Sequence, residues 1–285
     1  MNEQRHRVRD DVELAVRSWP ATGATGTEPP ILCVHGLASN ARMWDGMAAE
    51  LSTRGFEVAA VDQRGHGQSS KPDDGYDFST LVEDLLKLID ELAFERPLVV
   101  GQSWGANVVL ELGRRHPERV RGVVCVDGGF IELSKHFPTW DDCVAKMTPP
   151  ALIGTPAARM EQFMRQANAD WPEAGIQGAL ANFEVRDDGT IAPWLTLDRH
   201  LQILRHLYDH RPSQGYAEID VPVLLTPADS AAVWSDKKVA IEEAAALLRR
   251  GRVRWFAPAH HDIHAQKPVE LADAIHEALK DGFFA

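Results

Sequence analysis

The sequence predicts an α/β fold: a mostly parallel central sheet flanked by helices, with a largely helical cap inserted before the penultimate strand. Three observations lead there. Short continuous apolar runs alternate with helix-period segments from residue 31 to residue 129. One of these runs ends in a G-x-S-x-G turn that opens directly into a helical segment. The alternation stops between Phe130 and Tyr216 and resumes at Val221, so one core carries one insertion.

Each element has its own warrant. Residues 6–19 alternate apolar and polar positions after Asp10-Asp11 and predict a β-hairpin. The small residues and prolines of ATGATGTEPP predict a loop. ILCVHG (31–36) reads as a buried parallel strand, because a strand covered on both faces has no polar face to alternate with. Residues 41–54 read as a helix stopped by Gly55, and FEVAAVD (56–62) as a second buried strand. Thr80 and Glu83 have capping-box spacing, and Leu81, Leu85, Leu88 and Leu92 recur at helical period. PLVVGQS (97–103) and VRGVVCVDGG (120–129) are the third and fourth strands, separated by a helix at 104–116 that Pro117 closes. The stretch that follows holds aromatics, prolines and helix-like pieces but no buried strand, and is too long for an idle loop. VPVLLTPAD (221–229), a helix at 237–250, RVRWFAPA (252–259) and a helix at 268–280 complete the core. The expected division is 1–129 with 217–285 for the core, and 130–216 for the cap.

Composition narrows the function. The chain has 285 residues, 44% hydrophobic and 25% charged, with a formal net charge of −12. Such acidity repels phosphate backbones and anionic lipid, so neither nucleic acid nor membrane is an expected partner. The polar start MNEQRHRVRDDVELAV lacks an apolar stretch fit for an export signal, and no apolar run is long enough to span a membrane. Cys33, Cys125 and Cys143 are too few, and odd in number, for a disulfide framework. These features lead to the expectation of a reducing, cytoplasmic location.

The chemistry concentrates at three places. Gly101-Gln102-Ser103-Trp104-Gly105 lies between a strand and a helix, where a serine is forced onto a tight turn with its hydroxyl above the sheet edge. The helix behind it favours developing negative charge. A serine needs a base, and twelve histidines offer themselves. His206 and His210 have a spacing a metal could use, but no acidic or cysteine ligand accompanies them, and they read as solvated surface. Ala259-His260-His261-Asp262-Ile263-His264 directly follows the final strand, where loops meet ligands. Its spacing is not that of a helical zinc pair, and no metal is expected. Val34-His35-Gly36-Leu37 leaves the first buried strand and can offer a main-chain donor to an oxyanion from Leu37, paired with the amide of Trp104.

HGLASNARMW, DQRGHGQSS, GQSWG and HHDIHAQKP together resemble the α/β-hydrolase superfamily, in its serine esterase, C–C hydrolase and dehalogenase-like branch. The resemblance covers residues 31–128 and 221–280. It implies the order nucleophile, acid, histidine, with Ser103 as nucleophile and His261, seven residues before Pro268, as base. His260 stands where the family usually has glycine. The Arg64–Ser69 loop is structural in the family, and Gly65-x-Gly67 is no dinucleotide fingerprint because Ser70 replaces the last glycine. Haloalkane dehalogenases and epoxide hydrolases carry Asp at the nucleophile position, where this chain has Ser103. The commoner acid position falls on Ala231, with Asp229 two residues early. The family's second location, after the preceding strand, falls on Asp127, which is preferred over Asp229.

The implied reaction is acyl transfer to water through an acyl-enzyme, without cofactor or metal, on an ester, lactone or thioester of a small, fairly apolar molecule. A non-hydrolytic or perhydrolase-type enzyme and a small-molecule receptor or inactive pseudoenzyme stand as alternatives. His35, Trp140, Phe183 and Trp194 are the expected pocket residues.

Overall fold

The computed structural model describes residues 1–22, 28–229 and 236–285. Half of the loop expected at 21–30, residues 23–27, and Ala231 lie outside the described residues. The chain opens with β1 (Asn2–Arg9) and β2 (Val12–Trp19), an antiparallel hairpin. β3 (Ile31–Val34), β4 (Val58–Val61), β5 (Leu98–Gln102) and β6 (Gly122–Val126) follow, with every residue buried. β7 (Thr155–Pro156), β8 (Phe183–Val185) and β9 (Thr190–Pro193) belong to the insertion, and β10 (Val223–Thr226) and β11 (Gly251–Val253) return to the core. The main sheet runs β1-β2-β4-β3-β5-β6-β10-β11, antiparallel through β2/β4 and parallel from there on.

Alternate residues of each inner strand serve opposite faces. Leu32, Val34, Val99, Val123 and Cys125 pack with the helices Phe78–Glu91 and Trp104–Arg115. Ile31, Cys33, Val100, Val124 and Val126 pack with Asp45–Thr53 and Pro268–Lys280. Two apolar faces explain why these strands read as unbroken apolar runs. All three cysteines are free and buried. No helix among the described residues is long and apolar enough to cross a membrane.

Three expectations are corrected. The helix expected behind a Thr80–Glu83 box begins earlier, at Phe78. Asp77 caps it, accepting from the Thr80 main-chain N–H at 3.0 Å and the Thr80 hydroxyl at 2.8 Å. Thr80 thus donates to a cap instead of being one, and Glu83 turns outward to Arg9. The insertion, expected without a buried strand, contains the small sheet β7-β9-β8, with Ile191 and Ala192 buried. Strands of two to four residues are too short to show an alternation. His210, expected in solvent, is wedged behind the Trp104–Arg115 helix, stacked on Phe78 at 4.0 Å and within 3.2 Å of Glu111.

The helices of the insertion, Trp140–Met147, Ala157–Ala167, Glu173–Leu180 and Leu197–Asp209 among them, form a cap before β10. The last of them docks through Ile203, Leu204 and Leu207. Arg199 ties it to the loop after β4, donating to the carbonyls of Pro72 at 2.9 Å and Lys71 at 2.7 Å.

Candidate active site

β5 ends at Gln102 and a helix begins at Trp104, leaving Ser103 at φ 53°, ψ −121°. A non-glycine residue in that region costs of order 1–3 kcal/mol and persists only when its surroundings hold it. The Ser103 N–H donates to the Val126 carbonyl at 3.0 Å, and the Ser103 carbonyl accepts from Ala106 N–H at 3.0 Å. The motif's glycines have a steric reason. A Cβ at Gly101 would lie 2.3 Å from the Gly105 carbonyl oxygen, and one at Gly105 would lie 2.3 Å from that of His35. Trp104 opens its helix, so its N–H has no partner within the helix.

His261 follows β11 on a loop before the short helix Ile263–Gln266. Its Nδ1 donates to Asp127 Oδ2 at 2.7 Å. Asp127 directly follows β6 at φ 44°, and its side chain is 5% exposed against 50% for His261, so the carboxylate is anchored in protein while the ring keeps an open side. Asp127 Oδ1 accepts from the Ala228 N–H at 2.9 Å and lies 2.6 Å from Lys237 Nζ. Asp229 is exposed, and its main-chain N–H donates to the Phe256 carbonyl at 2.8 Å. Crowding around the His261 ring opposes its charged form, but the Asp127 hydrogen bond and the nearby charges of Asp262 and Asp127 outweigh it, and its pKa is raised. For Asp127, burial works against the carboxylate, but its bonds to His261 and Lys237 win and its pKa is lowered.

Ser103 and His261 line one cavity of about 390 Å³. Leu37, Trp104, Phe130, Ile131, Leu133, Met147 and Leu207 make it largely apolar, and Asp127, Lys237 and His200 are its other polar members. His200 is held neutral by burial, and its Nε2 donates to the Met147 carbonyl at 3.2 Å.

The four expected pocket residues lie elsewhere. His35 is fully buried beneath the site. Its Nδ1 donates to the Gly36 carbonyl at 2.7 Å and its Nε2 accepts from the Gln63 N–H at 3.0 Å, so both ring nitrogens are occupied by loop main chain. Burial takes its pKa down to about 4. It meets His66 edge-on at 4.8 Å, and His66 in turn stacks on Trp104 at 5.6 Å. Trp140 packs on Tyr208 at 5.6 Å under the Arg205 guanidinium. Phe183 and Trp194 face a separate groove of about 580 Å³ beside Asn40, Arg42 and the N-terminal hairpin. The segment just after β6 and the helices Trp140–Met147 and Leu197–Asp209 reach over Ser103 first. Sequence reasoning missed Lys237 and the cavity's apolar residues from Phe130 to Met147, for which no local pattern exists. His260 is exposed, whereas His264 is fully buried against Trp44 at 4.3 Å. Among the described residues no group of three His, Cys, Asp or Glu side chains converges as a metal site.

Comparisons with known proteins agree with this architecture. A 2-(acetamidomethylene)succinate hydrolase of Mesorhizobium japonicum is 29% identical over 235 residues, covering 82% of this chain and 79% of that protein. A crystal structure of E-2-(acetamidomethylene)succinate hydrolase has a TM-score of 0.80 at 25% identity, covering 98% of this chain and 99% of that one. Epoxide hydrolase A of Mycobacterium tuberculosis is 37% identical over 113 residues, a match that spans 39% of this chain and 35% of that protein. The family model described as alpha/beta hydrolase fold matches residues 29–175, more than half of the chain, which therefore belongs to the alpha/beta hydrolase fold family.

Proposed function

We propose that the protein is a serine hydrolase that cleaves an ester-type bond of a small, largely apolar substrate through an acyl-enzyme. One observation carries the reading: Ser103, on its strained turn, opens into the same apolar cavity as a His261 whose Nδ1 is 2.7 Å from the carboxylate of Asp127. That bond leaves Nε2 as the basic nitrogen. His261 takes the hydroxyl proton of Ser103 as the oxygen attacks the substrate carbonyl. The main-chain N–H groups of Leu37 and Trp104 stabilise the oxyanion. The tetrahedral intermediate collapses, the proton on His261 passes to the leaving group, and an acyl-serine remains. His261 then deprotonates a water that releases the acid and restores Ser103. Asp127 keeps the ring in this tautomer and stabilises its charged form. A serine at this position, where epoxide hydrolases of the superfamily carry Asp, favours acyl transfer over epoxide opening.

The relative from Mesorhizobium japonicum favours a second reading, cleavage of an acylated nitrogen, since its name specifies an acetamido compound. A succinate would bring two carboxylates, whereas Lys237, the one lysine among the described residues lining this cavity, already faces Asp127 at 2.6 Å. A neutral acyl group fits the lining better.

The test is fluorophosphonate labelling, with the modified peptide mapped to Ser103, followed by turnover of a panel of p-nitrophenyl esters, lactones, thioesters and the acetamido compound. Labelling with turnover of neutral esters supports the first reading, and turnover of the acetamido compound alone supports the second. A protein that takes no label at Ser103 and turns over none of the panel would overturn both.

A further inference from the structure

The Asp127 carboxylate is shared. Oδ2 holds His261, while Oδ1 accepts from Ala228 N–H and lies 2.6 Å from the ammonium of Lys237. Lys237 begins the helix Lys237–Leu247, is 14% exposed, and also donates to the Ala228 carbonyl at 2.6 Å. Neither the hydrogen bond nor the proton transfer of the reaction requires a cation here. We propose that Lys237 is a positioning residue of the site: it pins Asp127 in the one orientation that holds His261, and its charge divides the carboxylate's influence, keeping His261 less basic than an undivided Asp127 would make it. The inference rests on the serine-hydrolase reading above.

The geometry supports this in two ways. A carboxylate on a residue at φ 44° at the end of a strand needs fixed partners on its second oxygen to hold a single rotamer. Ala228 and Lys237 supply them from β10's exit and from the next helix, so three segments converge on one side chain. The other groups facing His261 are Asp262 and His260 beside it in sequence and His264 from the following short helix, the last neutral through burial. Asp262 and Asp127 both favour the charged ring, and Lys237 is the cation that opposes them. A base must be neutral to work, so restraining its basicity widens the pH range in which it is ready.

Lys237→Met removes the charge and keeps the stem, and Lys237→Arg keeps the charge. With Lys237→Met, the acid limb of the kcat/KM profile moves to higher pH, and kcat falls about 10- to 100-fold with KM little changed. The titration of the His261 ring, followed by NMR, moves the same way. Lys237→Arg keeps the limb in place and restores most of kcat. An acid limb and a His261 titration that stay put, or move to lower pH, in a Lys237→Met protein with a native thermal melt would overturn the proposal. If that variant melts early, Lys237→Gln against Lys237→Arg reads the same shift. The ring titration needs no turnover. Failure of fluorophosphonate labelling in the unaltered protein therefore strikes the serine-hydrolase reading, and an unmoved ring titration strikes the role of Lys237.

Discussion

Ser103→Ala deletes one oxygen at the point where the proposed reaction begins. Turnover should fall by about 10⁴- to 10⁶-fold, as when a triad nucleophile is removed elsewhere. The thermal midpoint should stay close to that of the unaltered protein, since the hydroxyl faces the cavity. Retained turnover in the purified variant would count against the nucleophile. Asp127→Asn keeps the shape of the side chain but lets the amide donate where only an acceptor fits, and turnover should drop about 10⁴-fold. Asp229→Asn alters an exposed side chain and should leave turnover within about twofold. Steady-state rates on one ester decide between them. The pH profile follows from His261. Its pKa is raised, chiefly by Asp127 against the crowding around the ring, and the neutral ring is the active form. Activity should therefore be lost as pH falls through a value above the ordinary histidine pKa of about 6.5.

The strand–turn–helix element stands on two missing Cβ atoms. Gly105→Ala puts a methyl group 2.3 Å from the His35 carbonyl oxygen, main chain that cannot swing aside. It should destabilise the fold by about 1–3 kcal/mol and shift Ser103 as the helix moves, so calorimetry and turnover should fall together. The cap element acts through residues that were not foreseen. Met147 and Leu207 line the Ser103 cavity, whereas Phe183 and Trp194 face the outer groove. Met147→Ala and Leu207→Ala should shift preference toward longer acyl chains in a p-nitrophenyl ester series. Phe183→Ala and Trp194→Ala should leave that preference unchanged. The opposite pattern would mean that the cap closes over Ser103 differently in solution.

At the scale of the molecule, the buried histidines make stability depend on pH. Burial lowers the pKa of His35 to about 4 and that of His264 to about 3. Below about pH 6.5 the unfolded chain binds these two protons and the folded chain does not, so stability falls as pH falls, by about 1.4 kcal/mol per pH unit for each histidine. His66 and His200 are lowered by burial too and act in the same direction. His261 has the opposite sign: its raised pKa adds stability below about 6.5 that is lost as pH rises through the folded value. Four lowered histidines outweigh one raised one, so the urea midpoint should drop between pH 7 and pH 5. A flat midpoint would show that water reaches these rings.

Local physics wrote much of this protein into its sequence. The inner strands are legible because two apolar faces leave no polar alternation, as in ILCV and GVVCV. The Ser103 turn is legible because its glycines are imposed by contacts that nearly any chain folding this way must make. His261 is legible through its place after the last strand. Only the tertiary structure decided the rest. Asp127 and Asp229 both leave strand ends, and the neighbouring positions of β6 and β10 in the sheet bring the first to His261 and leave the second exposed. Lys237 and the apolar residues over Ser103 carry no local pattern, and the cap aromatics that looked like a pocket face other surfaces. Periodicity and turn chemistry encode burial and backbone conformation within a few residues. Which side chains meet across the sheet edge depends on strand order and cap docking, which are sums over contacts between segments far apart in the chain.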